Sequence, residues 1–281
     1  MILHKTKQIN ADAVDYIIKN RLYFIPKNTT REKILKKLGT DLKAISYYSP
    51  QISFLLCHLY MSHIIGNEYY LEYDSPIVIP AILDATYHHA GIVTISENIN
   101  SQISIRGTKI TPNFNICGSV LIFTKYNREF AIVLADKNLL PRSAYSIQMP
   151  SLATDLTWIV FQEHKINKST LVPLNKKDLI DLLDLYARLL KHHMLGIIDR
   201  LYEETHHWIE NQQYINMQQK LKNTRYYNIE QVGNLFTLLI RSFCLDAINN
   251  SSIISLYLNA LIESLSFASA IVKTKNNIEN S

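Results

Sequence analysis

The hydrophobic period of this chain changes twice, from helical spacing to two and back again, and that order limits the folds open to it. From residue 11 to about 65 the apolar residues recur at helical spacing, in "ADAVDYIIKN", "TTREKILKKLGTDLKAISYY" and "SPQISFLLCHLYMSHII". Thr29 or Thr30 is expected to cap the second of these helices. Ser49-Pro50 offers the third a cap followed by proline at the first helical position. From about 91 to 163 the period falls to two, in "GIVTISE", "SQISIRG", "SVLIFTKY", "REFAIVLAD" and "DLTWIVFQE". Asn98-Ile99-Asn100 and Tyr126-Asn127 stand between them as turn signals. Five strands without long helical segments between them predict an antiparallel sheet or a small barrel. From about residue 176 the chain is helical again. Leu182, Leu185, Leu189, Leu195, Ile198 and Tyr202 form one wide apolar stripe, which suggests a bundle or an oligomer seam. Two further helices are expected near 228–249 and 252–273, and the polar tail "KTKNNIENS" is expected to fray. The reading is therefore α+β, with an N-terminal helical domain over 1–90, a middle antiparallel β-domain over 91–174 and a C-terminal helical bundle over 175–281.

Composition removes several classes of function. The 281 residues hold only seven glycines, few for a chain that cradles phosphates, and neither a P-loop nor a dinucleotide fingerprint occurs. The net charge of +5 is mild and the basic residues are scattered, apart from short runs such as "REKILKK" and "KTK". A solvated helix face explains such runs, so no nucleic-acid partner is expected. Cys57, Cys117 and Cys244 lie far apart without CxxC spacing. The first residues, "MILHKTKQINADAV", lack the apolar core of a signal peptide, and "ISFLLCHLYMSHII" is too short to span a bilayer. No membrane span and a cytoplasmic location are the corresponding expectations.

Three histidine doublets stand out: His88-His89, His192-His193 and His206-His207. The last two lie about thirteen residues apart, roughly 20 Å along a helix, so they cannot share one ion within a subunit. No metal site is expected, although one assembled between subunits is a possible reading. No GxSxG elbow appears, and the carboxylates of the long helix sit where a solvated face would put them.

Several stretches, in order, resemble the acyl-CoA dehydrogenase family. "SPQISFLLCHLYMSHII" resembles a family helix with a capped start and a central His. "ISIRGTKI…SVLIF" is similar to its G-x-K hairpin followed by an apolar strand. "SLATDLTWIVFQEHKINKSTLVP", with Phe161, Ile166, Val172 and Pro173, looks like the strand that ends in Val-Pro. "LLKHHMLGIIDRLYEETHHW", with Gly196 and Trp208, resembles the long bundle helix. The resemblance covers roughly residues 48–273. It implies FAD held between the β-domain and the bundle, an acyl-CoA-type small molecule as substrate, oxidation at Cα–Cβ, and homo- or hetero-oligomers assembled through the C-terminal bundle. The cofactor-binding candidates it implies are Lys109, Thr111 and Asn113.

The departures from the family bear on mechanism. "AILDATYHHAGIV" stands where the family has Glu-Pro and Gly-Ser-Asp in its flavin loop. Gln212 stands where the family has an Arg that reaches a neighbouring subunit's cofactor, and Asn216 where it has a Gly. The catalytic residue is unassigned: the family's late Glu has no counterpart, and its alternative position falls at Tyr186, whose phenol is a poor base at neutral pH. Two readings follow: a dehydrogenase whose activity is reduced or lost, or a non-catalytic subunit that pairs with a catalytic paralogue.

Overall fold

The computed structural model describes residues 14–23, 25, 31–84, 92, 94–99, 102–141, 145–167, 171–205, 216, 219 and 252–281. Residues 14–19 are helical, followed by α1 (Arg31–Tyr48) and α2 (Pro50–Tyr69). Nine strands come next: β1 (Val78–Ala81), β2 (Leu83–Asp84), β3 (Ile95–Ile99), β4 (Gln102–Pro112), β5 (Ser119–Tyr126), β6 (Glu129–Asp136), β7 (Tyr145–Met149), β8 (Thr154–Asn167) and β9 (Leu171–Leu174). The long helices α3 (Lys176–Thr205) and α4 (Ser252–Glu279) follow.

Local chemistry explains the boundaries. Ser49 caps α2 by accepting the Ile52 N–H at 3.4 Å, with Pro50 at the first position, as its sequence predicts. Asn175 caps α3: its side-chain oxygen accepts the Asp178 N–H at 2.8 Å, and its Nδ2 donates to the Asp178 carboxylate at 2.8 Å. The expected caps at Thr29 and Thr30, the helix near 228–249, Cys244, His88-His89, His206-His207, Trp208 and Gln212 lie outside the described residues.

The strands form one sheet in the order β7-β8-β4-β3-β5-β6-β9, with β1 added beside β5 and β2 beside β4. Most pairings are antiparallel, while β1 and β3 each run parallel to β5. The β5–β6 hairpin closes through Asn127 and Arg128, both at positive φ, as a two-residue hairpin turn requires. β9 is an edge strand and tolerates Pro173, which has no N–H to offer a ladder.

The strand read in "SQISIRG" does not stop at its glycine. β4 runs unbroken to Pro112, and Gly107 marks a bulge in its pairing with β8. The glycine is at φ 139°, and a Cβ there would stand 2.8 Å from Thr94 Oγ1 and 3.0 Å from Thr94 Cα. Both conformation and space therefore demand glycine. Ser104 is buried together with Ile103 and Ile105.

The helices pack as one layer of the same core. α3 lies against α1 and α4, and α2 contacts the bundle on one side and β1 on the other. The tail does not fray. α4 continues to Glu279 because Thr274, Lys275 and Ile278 are buried, with the Lys275 ammonium 3.3 Å from Asp184 on α3. α4 is long and apolar enough to cross a membrane by length and composition. Here Leu258, Leu261, Phe267 and Ile271 are buried in the protein core instead.

α1 and α3 approach so closely at Gly196 that a Cβ there would fall on the Lys43 carbonyl oxygen and the Ser46 hydroxyl. Alanine would gain about 1 kcal/mol of helix propensity. The obstructing carbonyl is helix backbone and cannot rotate away, so the overpacking cost wins. Gly196→Ala is expected to lose about 2 kcal/mol net in denaturant unfolding. A neutral or stabilised variant would refute this close contact.

Candidate functional site

Alternation along β4 puts Lys109 and Thr111 on one face of the sheet, the face turned into the core. Both are 0% exposed. The Lys109 ammonium lies 2.6 Å from Asp84 Oδ1 on the adjacent strand β2 and donates to the Ile82 carbonyl at 3.1 Å. Asp84 also accepts from the Thr94 hydroxyl at 2.5 Å and the Thr94 N–H at 3.0 Å. This network ties β2, β4 and the entry to β3 together. Burial lowers the Lys109 pKa, and the Asp84 charge opposes that shift. Thr111 has its hydroxyl 3.4 Å from the Pro112 carbonyl.

Asn113, one residue past β4, is 4% exposed and at φ 55°, a conformation that asparagine tolerates. Its N–H donates to the Asp155 carbonyl, and its side-chain oxygen accepts from the Thr154 hydroxyl at 2.6 Å. Nδ2 is buried without a partner. Around it stands a polar cluster: Asp155 Oδ2 accepts from Asn115 at 2.9 Å and from the Thr157 hydroxyl at 2.6 Å. The three candidates therefore share one strand and its end, with Lys109, Thr111 and Asn113 all buried.

Two features were missed in the sequence. Glu263, on α4, reaches the turn at residues 150–152 and accepts the Ser151 and Leu152 N–H groups at 3.4 and 3.0 Å. Half-burial raises its pKa, and these two hydrogen bonds pull it back down. It is the only charged residue between Ser252 and Val272, which is the signal that could have flagged it.

The second feature lies in the bundle. His58 Nδ1 is hydrogen-bonded to the Tyr186 hydroxyl, and the Phe54 and Phe267 rings pack edge-on to the imidazole. His193 Nε2 lies 2.8 Å from Ser264 Oγ, whose own proton goes to the Ala260 carbonyl at 2.6 Å. Ser264 is therefore the acceptor, and His193 carries its proton on Nε2. His58 Nε2 and His193 Nδ1 are buried without partners. Burial holds both imidazoles neutral, with pKa values lowered to about 3. Tyr186 is fully buried and its pKa is pushed well up by desolvation. A phenol so placed cannot accept a proton near neutrality. The His192-His193 doublet splits: His193 faces the core, and the His192 ring covers Gly39 on α1. Among the described residues no three His, Cys, Asp or Glu side chains stand together as a metal site.

No protein-family model matches the chain, and no curated protein matches it by sequence. Solved structures do match its backbone. An acyl-CoA dehydrogenase from Geobacillus kaustophilus is 11% identical at a TM-score of 0.64, over 98% of this chain and 97% of that one. Butyryl-CoA dehydrogenase from Megasphaera elsdenii is 10% identical at 0.61, over 85% and 80%. The ChsE4-ChsE5 complex from Mycobacterium tuberculosis supplies a chain 11% identical at 0.58, over 100% and 96%. Order of elements and backbone agree: the chain has an acyl-CoA dehydrogenase-like fold.

Proposed function

From that fold and from the state of its candidate site, we propose that this chain is a non-catalytic acyl-CoA dehydrogenase-like subunit. It uses the fold for assembly with a second, catalytic copy of the same fold in the cytoplasm. One observation carries the reading: Lys109 and Thr111, which the resemblance offers to a flavin, are fully buried, and the Lys109 ammonium is engaged by Asp84 and Ile82. Neither side chain has an exposed polar atom to present to FAD, so the two do not fit that group. The base position supports the same reading, because Tyr186 is committed to His58 and cannot take an α-proton. Assembly through the bundle suits the chain, whose structural neighbours include a chain of the ChsE4-ChsE5 complex. Fold alone does not confer the activity of its other bearers.

A second reading has its own support. The orphaned Asn113 Nδ2 is a buried donor lacking an acceptor, and Glu263 is a carboxylate with a raised pKa beside the same domain. A flavin carbonyl against Asn113 would satisfy that donor, and the chain would then be an FAD-dependent enzyme acting on an acyl thioester.

An absorbance spectrum of the purified full chain, before and after incubation with FAD and gel filtration, separates the two. Colourless protein that retains no flavin is the expected result, together with no acyl-CoA oxidation in a dye-reduction assay. A yellow protein retaining stoichiometric FAD would overturn the non-catalytic reading.

A further inference from the structure

Away from the sheet, Arg21, Leu22 and Ile25 line a cavity of about 650 Å³ together with α1 and Tyr60 of α2. That is within the roughly 300–1,000 Å³ typical of small-molecule sites. Its floor is apolar: Ile25, Leu38 and Tyr60 are buried, and Ile34 and Ile45 continue the stripe along α1. Its rim is basic. Lys33 and Lys37 stand one helical turn apart on α1, facing the same opening as Arg21, and all three are exposed. Among the described residues none of the three has an ion-pair partner. Both lysines belong to the "REKILKK" run, which a solvated helix face would otherwise explain.

We propose that this cavity binds an amphiphile with a single anionic head and an unbranched apolar tail, of the chemical class of a medium- or long-chain fatty acid. Three unpaired cations at the mouth attract an anion, whose carboxylate accepts charge-assisted hydrogen bonds from Lys33, Lys37 and Arg21. The floor offers hydrocarbon and one phenol. It has no array of donors and acceptors with which to read a sugar, base or peptide. Asp41 also lines the cavity, and its charge adds to the burial that raises the pKa of the Tyr60 phenol. A carboxylate there repels a second anionic group, so the head stays at the rim and the tail runs inward over Leu38 and Ile45. No residue of the sheet lines this cavity, so the proposal does not depend on whether the chain binds a flavin.

Laurate, used below its micelle concentration, is the probe, titrated calorimetrically into the full chain. One laurate per chain is expected, with affinity that weakens as salt is added. Lys33→Glu combined with Lys37→Glu alters only exposed side chains and should weaken binding by about tenfold or more, with an unchanged circular dichroism spectrum. Dodecanol, with the same tail and no charge, should bind about tenfold more weakly than laurate. Ala44→Trp, at the exposed edge of the cavity, should abolish binding while leaving the fold intact. Failure of laurate to bind, equal affinity for dodecanol, or an unaffected lysine variant would each overturn the proposal. Binding to phosphatidylglycerol vesicles without binding to monomeric laurate would overturn it in favour of a membrane-surface role for the same cations.

Discussion

Asp84→Ala is expected to destabilise the protein by about 3–5 kcal/mol, because it strands the Lys109 ammonium in the core with one carbonyl for company. Both side chains of this pair are essentially without solvent contact, at 0% and 1% exposure. A surface ion pair would be worth about 1 kcal/mol at most. Breaking a buried one leaves an uncompensated charge whose desolvation no water relieves. The same change orphans the Thr94 N–H and hydroxyl, which Asp84 accepts. Two further results distinguish a stranded charge from mere loss of packing. Adding Lys109→Met to Asp84→Ala should recover about half of the loss or more, since the double variant contains no buried charge. The stability of Asp84→Ala alone should rise with pH. With the folded pKa of Lys109 below its unfolded value, the unfolded chain binds more protons, and that penalty fades as pH approaches the unfolded pKa. Guanidinium unfolding at neutral and alkaline pH measures all three. A loss under about 1 kcal/mol for Asp84→Ala would show that the pair is not closed in solution.

The same pair marks where reading the sequence stopped. Strand β5 was visible because "SVLIFTKY" is a continuous apolar run, and it is buried on both faces. The hairpin to β6 was visible because Asn127 is a turn residue. Strand β7, "YSIQM", escaped although Tyr145, Ile147 and Met149 alternate with Ser146 and Gln148, because a run of five residues is short evidence by itself. β1 and β2 escaped for another reason: they are four and two residues long, and β1 contains a proline. Their places come from pairing with β5 and β4 across the fold, which no local pattern records. The tail helix was misread because Lys275 looks solvated by composition, whereas Asp184, 91 residues away, draws it onto α3. Lys109 could be placed on a strand, and even on one face of it. Its partner could not, because Asp84 is 25 residues distant and enters through a two-residue strand. A linear motif can place Lys109 on a strand, but it carries no trace of a partner brought in from 25 residues away.

A steep loss of stability in mild acid is the second large expected effect. It originates in the bundle, where α2, α3 and α4 meet. His58 and His193 are 0% exposed and each has a ring nitrogen without a partner, so nothing in the folded state compensates an added proton. Their folded pKa values of about 3 lie below the ordinary histidine value of 6.5. The sign follows from proton binding. Below pH 6.5 the unfolded chain takes up protons that the folded chain refuses, so stability is full above that value and falls as the pH drops toward 3. Two such groups remove about 4 kcal/mol between neutrality and pH 5, and about 2.7 kcal/mol per further pH unit. His63 and His192, whose pKa values burial also lowers, add to the fall with the same sign. Urea unfolding at pH 7.5, 6 and 5 reads this directly. His193→Met is the informative variant: Ser264 keeps its hydrogen bond to the Ala260 carbonyl, so no polar group is stranded by the change. Its stability should fall with acid at a slope smaller by about 1.4 kcal/mol per pH unit than that of the unaltered chain. A stability that stays flat from pH 7.5 to 5 would mean that water or a counter-charge reaches these imidazoles, and the sealed, neutral interior assigned to the bundle would have to be abandoned.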